Sequence, residues 1–373
     1  MKPELDMEQT LFDPYHLRPL ASLNRRQTIS LRGIDPDIAG ETGWNLLSTP
    51  ALIMLIQSHV SALGLTDVDS KDLPVHLNAL LKSSNEPART LAESISGQYG
   101  ERLGYVVASL LLTSEGLTSP MDEWEQAYLR HWQEEVKEIV LGGGLSSGVF
   151  GKHIGKVAKR VLMQCGISHC RINVAEYPTY LPLIGAARNH LEGMPDPVAV
   201  LDFGGSWAKR GLAFYDTDQA LYRLQVLPSR HISALTVPGK TAELADAMIA
   251  IISETILKAD LDKPVAPTVL CSIAAYVENG QPVKIERGTY TSFHHFSPDV
   301  MGWFSQQLSK VAGRSMQVVF FRDGDVAACT YAGRPHTAII LIGTALGAGF
   351  VSPQGDYRPV SDHFSLVENP VAF

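Results

Sequence analysis

The 373-residue chain is poor in several things, and each shortage excludes something. It has only four cysteines, Cys165, Cys170, Cys271 and Cys329, with no second pair to complete a metal spacing. The expectation is therefore idle or buried thiols, with no disulfide framework and no structural zinc. No apolar run approaches the ~20 residues of a membrane span. There is no basic surplus: 31 Lys+Arg are interspersed with 39 Asp+Glu, for a net charge of -8. The cationic face that would neutralise nucleic-acid phosphates is missing. The opening "MKPELDMEQTLFDPYH" is polar and acidic and lacks the apolar core of a secretory signal. These features predict a cytoplasmic protein with neither membrane nor nucleic acid as partner. Internal repeats and low-complexity segments are also lacking. What remains is length enough for two cores, 45% hydrophobic residues, and glycines clustered at the ends of apolar runs.

The pattern is clearest from 198 to 334. "VAVLDFGG", "KRGLAFYD" and "ALYRLQVLPS" read as three successive strands. Next, Leu244, Met248, Ile252 and Ile256 fall at helical spacing, and "PTVLCSIAAYV" reads as a buried strand. In "SPDVMGWFSQQLSKVAG", Ser297 is the expected N-cap, Pro298 the first helical residue and Gly313 the stop. "QVVFF" is a strand and "DVAACTYAG" a short helix. The predicted order is β-β-β-α-β-α-β-α, followed by a hairpin in "HTAIILIGTALGAGFVSPQG". The first half reads as mostly helical. It has a candidate helix in "STPALIMLIQSHVSALG" and a long one with Pro87 near its start and Leu91, Ile95, Leu103, Val107 and Leu110 on one face. A strand then leads through a triple-glycine turn into another helix. "PLIGAARNHLEG" is a short helix with Gly193 as its stop, joined by "MPDP" to the strand at 198.

Three glycine-rich turns each follow an apolar strand: Gly204-Gly205, Gly142-Gly143-Gly144, and Gly343-Thr344 with Gly347 and Gly349. Glycine lets a backbone approach a ligand closely, and exposed N–H groups in such turns hold phosphate oxygens. One such turn is ordinary chain reversal; three, with carboxylates at strand ends, point to a polyphosphate. Asp202 directly precedes one turn, which suits Mg²⁺ held through water. Asp323 follows "QVVFF", at the sheet edge where ligands of α/β folds collect. It could equally cap the next helix, although Asp325 is better placed to do so. The pair His294-His295 reads as an exposed loop.

These segments resemble the sugar kinases of the actin/hexokinase/heat-shock-chaperone superfamily, and within it the bacterial ROK group (repressors, ORFs, kinases). "DFGGSWAKRGLAFYD" resembles the first phosphate motif and "FRDGDVAACTYAG" the segment with the catalytic aspartate. "LIGTALGAGF" resembles the second phosphate motif. "EIVLGGGLSSGVF", followed by "PLIGAARNH", resembles the adenosine-binding segment and the C-terminal end. The family order places the adenosine segment last; here it comes first. The resemblance therefore implies an α/β, two-lobed actin-like ATPase (ribonuclease H-like) fold that is circularly permuted. One lobe would be 198–334, the other 1–197 plus 335–373. The competing explanation is an unrelated α/β protein with coincidental glycine turns.

The resemblance implies ATP-dependent phosphorylation of a sugar hydroxyl, with ATP in a cleft between lobes and Mg²⁺ as cofactor, and it allows a homodimer. Gly204, Gly205, Ser206, Lys209, Gly343 and Thr344 would hold phosphates, and Gly142, Gly143 and Gly144 would border the adenosine. Asp202 would position Mg²⁺ through water, and Asp323 would be the catalytic base. On the acceptor side the chain departs from the family. In "IAGETGWN", Glu41 matches a sugar-binding glutamate, but Trp44 replaces a histidine. The cysteine-rich zinc loop is absent, and Arg322 stands where the family has Asn. Glu41 is either a sugar ligand or a surface residue; Trp44 either stacks on a sugar or serves as a core or lid aromatic. Arg322 would lower the pKa of Asp323 or pair with an anionic acceptor. The alternatives to a sugar kinase are a kinase of a non-sugar acceptor and a non-catalytic sugar or nucleotide sensor on the same fold.

Overall fold

The computed structural model describes residues 12–28, 34–112, 122–189, 197–260, 264–285, 289–353, 355 and 357–368. In chain order the helices and strands are α1 (Gly43–Leu47), α2 (Thr49–Gln57), α3 (Leu73–Leu80), α4 (Glu86–Leu111), α5 (Glu123–Arg130), β1 (Glu138–Gly142), α6 (Gly148–Gln164), β2 (Arg171–Val174), α7 (Leu181–Arg188), β3 (Val198–Phe203), β4 (Trp207–Tyr215) and β5 (Leu221–His231). They continue with α8 (Thr241–Asp260), β6 (Thr268–Ile273), β7 (Val277–Glu278), β8 (Gln281–Pro282), α9 (Val300–Ala312), β9 (Gln317–Arg322), α10 (Asp323–Cys329), β10 (Thr337–Ile342), β11 (Leu346–Phe350) and β12 (Val360–Glu368). The protein is α/β with mixed parallel and antiparallel sheets. No helix among the described residues is long and apolar enough to cross a membrane.

Two compact units divide the chain. The first comprises Met1–Thr179 and His336–Phe350, the second Tyr180–Pro335 and Val351–Phe373. In the first unit the sheet order is β11-β10-β1-β2. Strand β1 pairs parallel with both β10 and β2, while β10 and β11 form an antiparallel hairpin. Residues near 140 and near 340 thus share one sheet. Helix α4 starts at an Asn85 cap, whose side chain accepts from the Ala88 N–H, with Pro87 in the first turn. Its buried face includes Ile95, Leu103, Val107 and Leu110.

The sheet of the second unit runs β12-β5-β4-β3-β6-β9. β3, β4 and β5 are antiparallel neighbours, and β6 and β9 add parallel to β3. β3 and β6 are buried along their whole length, as befits central strands covered on both faces. Leu244, Met248, Ile252 and Ile256 of α8 join Phe304 and Leu308 of α9 and Leu201 of β3 in one core.

The boundaries differ from the sequence reading in two places. Helix α7 was expected with the larger lobe, but belongs to the second unit: the Tyr215 hydroxyl donates to Ala187 O (2.7 Å), and Arg188 donates to Cys329 O (2.7 Å), Thr330 O (2.9 Å) and Arg358 O (2.7 Å). Strand β12, which the sequence reading did not foresee, adds parallel to β5 and carries 351–373 into that unit. Two capping expectations also fail. α9 is capped by Asp299, which accepts from the Gly302 N–H at 2.8 Å, so Ser297 and Pro298 lie outside the helix; Gly313 does close it, at φ +65°. Helix α7 ends at Arg188, with Asn189 as its C-cap; Gly193 and most of "MPDP" lie outside the described residues.

An ion network around one buried arginine ties α8 to the β4–β5 hairpin. Arg210 on β4 is fully buried and meets Glu254 of α8 through both terminal nitrogens at 3.1 Å, while its Nε donates to Pro228 O. Arg230 and Lys258 reach the same carboxylate at 2.6 and 3.6 Å. These hydrogen bonds, Arg230 first, pull the Glu254 carboxyl down to about 2 against the burial that raises it. The folded value is depressed, so this stability is present above the ordinary glutamate range and is lost as pH falls towards 2. Glu254→Ala is expected to destabilise the second unit by about 1–3 kcal/mol in urea unfolding at pH 7, because it removes the carboxylate partner of the buried Arg210. A loss below ~1 kcal/mol would show that the network contributes only as a surface ion pair does.

Candidate functional site

The second unit gathers polar groups at one sheet edge. β3, β6 and β9 are parallel and in register, with Asp202 opposite Ser272 and Ile273 opposite Arg322. Asp202, Ser272 and Asp323 therefore sit at the carboxyl ends of three adjacent strands, where ligands of open α/β sheets bind. Asp202 is buried. Its Oδ1 accepts from the Ser272 hydroxyl at 2.9 Å, and its Oδ2 receives the Lys209 ammonium at 2.7 Å. Lys209 stands opposite Asp202 in the β3–β4 ladder, so the antiparallel register makes the pair. Gly204, Gly205 and Ser206 form the turn between these two strands, and all three are partly exposed. Neither Gly204 nor Gly205 needs the left-handed region expected of such turns.

Asp323 does not cap α10. It is the first helical residue, and its Oδ1 accepts from the adjoining Gly324 N–H at 2.7 Å. Asp325 is no cap either: it ion-pairs with the Arg322 guanidinium, which also lies over the Tyr276 ring at 4.7 Å. The Asp323 carboxyl is pushed up to about 6. Burial is the main cause; Arg322 pulls it down, and the Asp202 charge pushes it further up. The lowering expected from Arg322 exists, but desolvation outweighs it.

Helix α10 is held from behind by α7. A Cβ on Gly185 would meet Val326 O at 1.6 Å, so only glycine allows this approach. The Thr330 hydroxyl donates to Leu181 O at 2.9 Å, and Arg188 takes up carbonyls at the end of α10. Among the residues that sequence reasoning missed, Ser272 carries the signal of a hydroxyl ending an apolar strand.

The first unit carries the other two glycine turns. Gly143 has φ +87°, and a Cβ there would meet Ile342 O at 2.4 Å; glycine is required both by conformation and by the closeness of β1 to β10. Gly142 ends β1, and its carbonyl accepts from the Ser146 hydroxyl at 2.7 Å. Gly144 stands open, with nothing within 4 Å of where a Cβ would lie. In the turn at Gly343 and Thr344, Gly343 O accepts from the Thr49 N–H at 2.8 Å. The side-chain amide of Asn24, which sequence reasoning also missed, clamps the backbone of Leu346 with two 2.8 Å hydrogen bonds. A Cβ on Gly343 would meet only Ala345 O, at 3.9 Å, so this glycine leaves room that the protein does not fill.

Also in the first unit, Glu41 accepts from the Asn45 amide at 2.7 Å, and Trp44 is 39% exposed, so it is not a core aromatic. In the second unit, His295 is exposed, but His294 is partly buried, with Nε2 2.5 Å from Pro282 O. The four cysteines are free thiols.

Among the described residues, no group of three or more His, Cys, Asp or Glu side chains is placed to hold a metal ion. The hard oxygens of Asp202 nonetheless fit Mg²⁺ held through water: each has a second lone pair beyond the one given to Ser272 or Lys209. No protein-family model matches the chain, and no curated protein matches it.

The raised Asp323 value has a thermodynamic consequence. The folded pKa of about 6 exceeds the ordinary aspartate value of 3.8, so this group's contribution to stability is full below pH ~4 and is lost as pH rises through 6. Asp323→Asn should remove that loss and leave the variant more stable than the parent at pH 7, by on the order of 2 kcal/mol. Parallel stability–pH curves for the two proteins between pH 4 and 7 would overturn this assignment.

Proposed function

We propose that the protein is an ATP-dependent kinase of a sugar hydroxyl, a circularly permuted member of the actin-like ATPase fold. The observation that carries this reading is the edge formed by β3, β6 and β9. A buried aspartate adjoins a glycine turn there, and a second aspartate of raised pKa begins the helix after β9. The permuted order is supported by the first unit's sheet, in which β10 and β11 join β1.

In this reading, backbone N–H groups of Gly205 and Ser206 hold phosphate oxygens, with Lys209 adding charge, while the Gly204 N–H closes the turn on Trp207 O at 3.0 Å. In the first unit, Gly343 and Thr344 hold phosphate, and Gly142 to Gly144 border the adenosine. Asp202 would hold Mg²⁺ through water, and the ion would supply charge neutralisation to the phosphates. Asp323 accepts the proton of the sugar hydroxyl as its oxygen bonds to the γ-phosphorus and the bond to the β-phosphate oxygen breaks, releasing ADP. A carboxyl of pKa about 6 is mostly ionised at pH 7 yet more basic than an ordinary aspartate, which suits a general base. Positioning and charge stabilisation do the rest of the catalysis.

Glu41 and Trp44 are the proposed acceptor contacts. Arg322 is held by Asp325 and Tyr276, so the idea that it pairs with an anionic non-sugar acceptor loses its support. One observation favours a second reading. The Lys209–Asp202 pair neutralises the carboxylate within the protein, as suits a nucleotide or sugar sensor without turnover.

An acceptor screen with ADP release as readout tests the proposal. A neutral sugar should stimulate MgATP-dependent ADP release, with kcat/KM rising with pH through a midpoint near 6. Asp323→Asn should keep nucleotide binding and lose about 10²–10⁴-fold in turnover. MgATP should raise the melting temperature, and Gly343→Val, whose added side chain enters space the protein leaves open, should abolish that shift. A nucleotide-induced shift without turnover on any acceptor would select the sensor.

A further inference from the structure

The turn at Gly204–Ser206 is fastened at three successive carbonyls. Gly204 O accepts from the Tyr290 hydroxyl at 2.6 Å, Gly205 O from Thr236 Oγ1 at 2.6 Å, and Ser206 O from the Ile232 N–H at 2.8 Å. Such a row follows from no ladder pattern, because two of the three donors are side chains from distant segments. The two donors are themselves linked: Thr289 Oγ1 donates to Thr236 O at 3.1 Å, and the Ser292 hydroxyl donates to Thr289 O at 2.7 Å. Tyr290 is buried against Phe293.

A trans peptide is planar, and its N–H points opposite to the carbonyl before it. Fixing Gly204 O on Tyr290 therefore aims the Gly205 N–H away from Tyr290, and fixing Gly205 O on Thr236 aims the Ser206 N–H away from Thr236. Without these bonds each peptide could turn over and present a carbonyl oxygen to an anion, converting attraction to repulsion. Glycine makes such turning easy. The tyrosine is also kept as a donor: burial, and then the Asp202 and Asp323 charges, hold its phenol well above the ordinary range.

We propose that Tyr290 and Thr236 are positioning residues for polyphosphate binding, fixing the two peptide planes from Gly204 to Ser206 so that the N–H groups of Gly205 and Ser206 face the phosphates. The proposal rests on the nucleotide reading above and adds two residues to it, neither of which touches the substrate.

The test compares MgADP, adenosine and inorganic pyrophosphate by calorimetry on the full chain and on Tyr290→Phe, Thr236→Val and Thr236→Ser, with melting temperatures recorded. Tyr290→Phe and Thr236→Val should each weaken MgADP by roughly 5–30-fold, the worth of a hydrogen bond that orients a charged ligand's site. They should leave adenosine affinity unchanged. Thr236→Ser, which keeps the hydroxyl, should bind MgADP within about twofold of the parent. Undiminished MgADP affinity in both hydroxyl-deleted variants would overturn the proposal. So would an equal loss of adenosine affinity, or a failure of Thr236→Ser to restore binding, since each would mark a merely structural role. If the parent binds pyrophosphate but not MgADP, the nucleotide reading fails and the variants are scored on pyrophosphate. If it binds neither, both ideas fall.

Discussion

The parallel pairing of β3, β6 and β9 fixes what the second unit can do. Parallel strands end at the same edge, so residues far apart in sequence, at 202, 272 and 323, arrive side by side without any local signal linking them. The antiparallel return of β4 then sets Lys209 opposite Asp202. A one-residue slip in any of these registers would turn these side chains to the other face of the sheet. The buried lengths of β3 and β6 oppose such a slip, because Asp202 is the one charged side chain in two continuous apolar runs.

Burial and charge compete at this edge, and their order matters. Asp323 lies beside a guanidinium, and sequence alone suggests a depressed carboxyl. The fold reverses the sign by withdrawing the carboxyl from water and engaging Arg322 with Asp325 and Tyr276. Two aspartates at one edge thereby have different surroundings: Asp202 has a hydroxyl and an ammonium on its oxygens, and Asp323 is kept basic by burial.

Much of this was legible in the chain. The strands around 198–231, the α8 face from Leu244 to Ile256 and the Gly313 stop follow from apolar periodicity and glycine placement, whereas the grouping of residues near 140 with those near 340 is implied only by the motif order of the family resemblance. Caps were less so: Ser297 and Asp325 look like caps in sequence, but Asp299 was better placed for α9 and Arg322 drew Asp325 into an ion pair. Tyr290, Thr236 and Asn24 gave no signal, because each acts on a backbone 31 to 322 residues away. β12 was missed because its mixed, largely exposed pattern is that of an edge strand, which has no buried face to advertise it. The affiliation of α7 was missed because a glycine contact and arginine-to-carbonyl bonds leave no periodicity.

The closure of the first unit's sheet has a consequence for biosynthesis. β1 lies between β2, about 30 residues ahead, and β10, about 200 residues ahead. Translation proceeds at roughly 5–20 residues per second, so one edge of β1 waits on the order of ten seconds or more for its partner to emerge. During that interval an apolar strand presents unpaired N–H and C=O groups, the condition under which strands seek wrong partners. The helices before and after β1, and α6 above all, can form meanwhile from local contacts. The nascent chain therefore carries a preformed helical layer with an open seam, which residues 337–350 close after the intervening 157-residue stretch, 180–336, has been made.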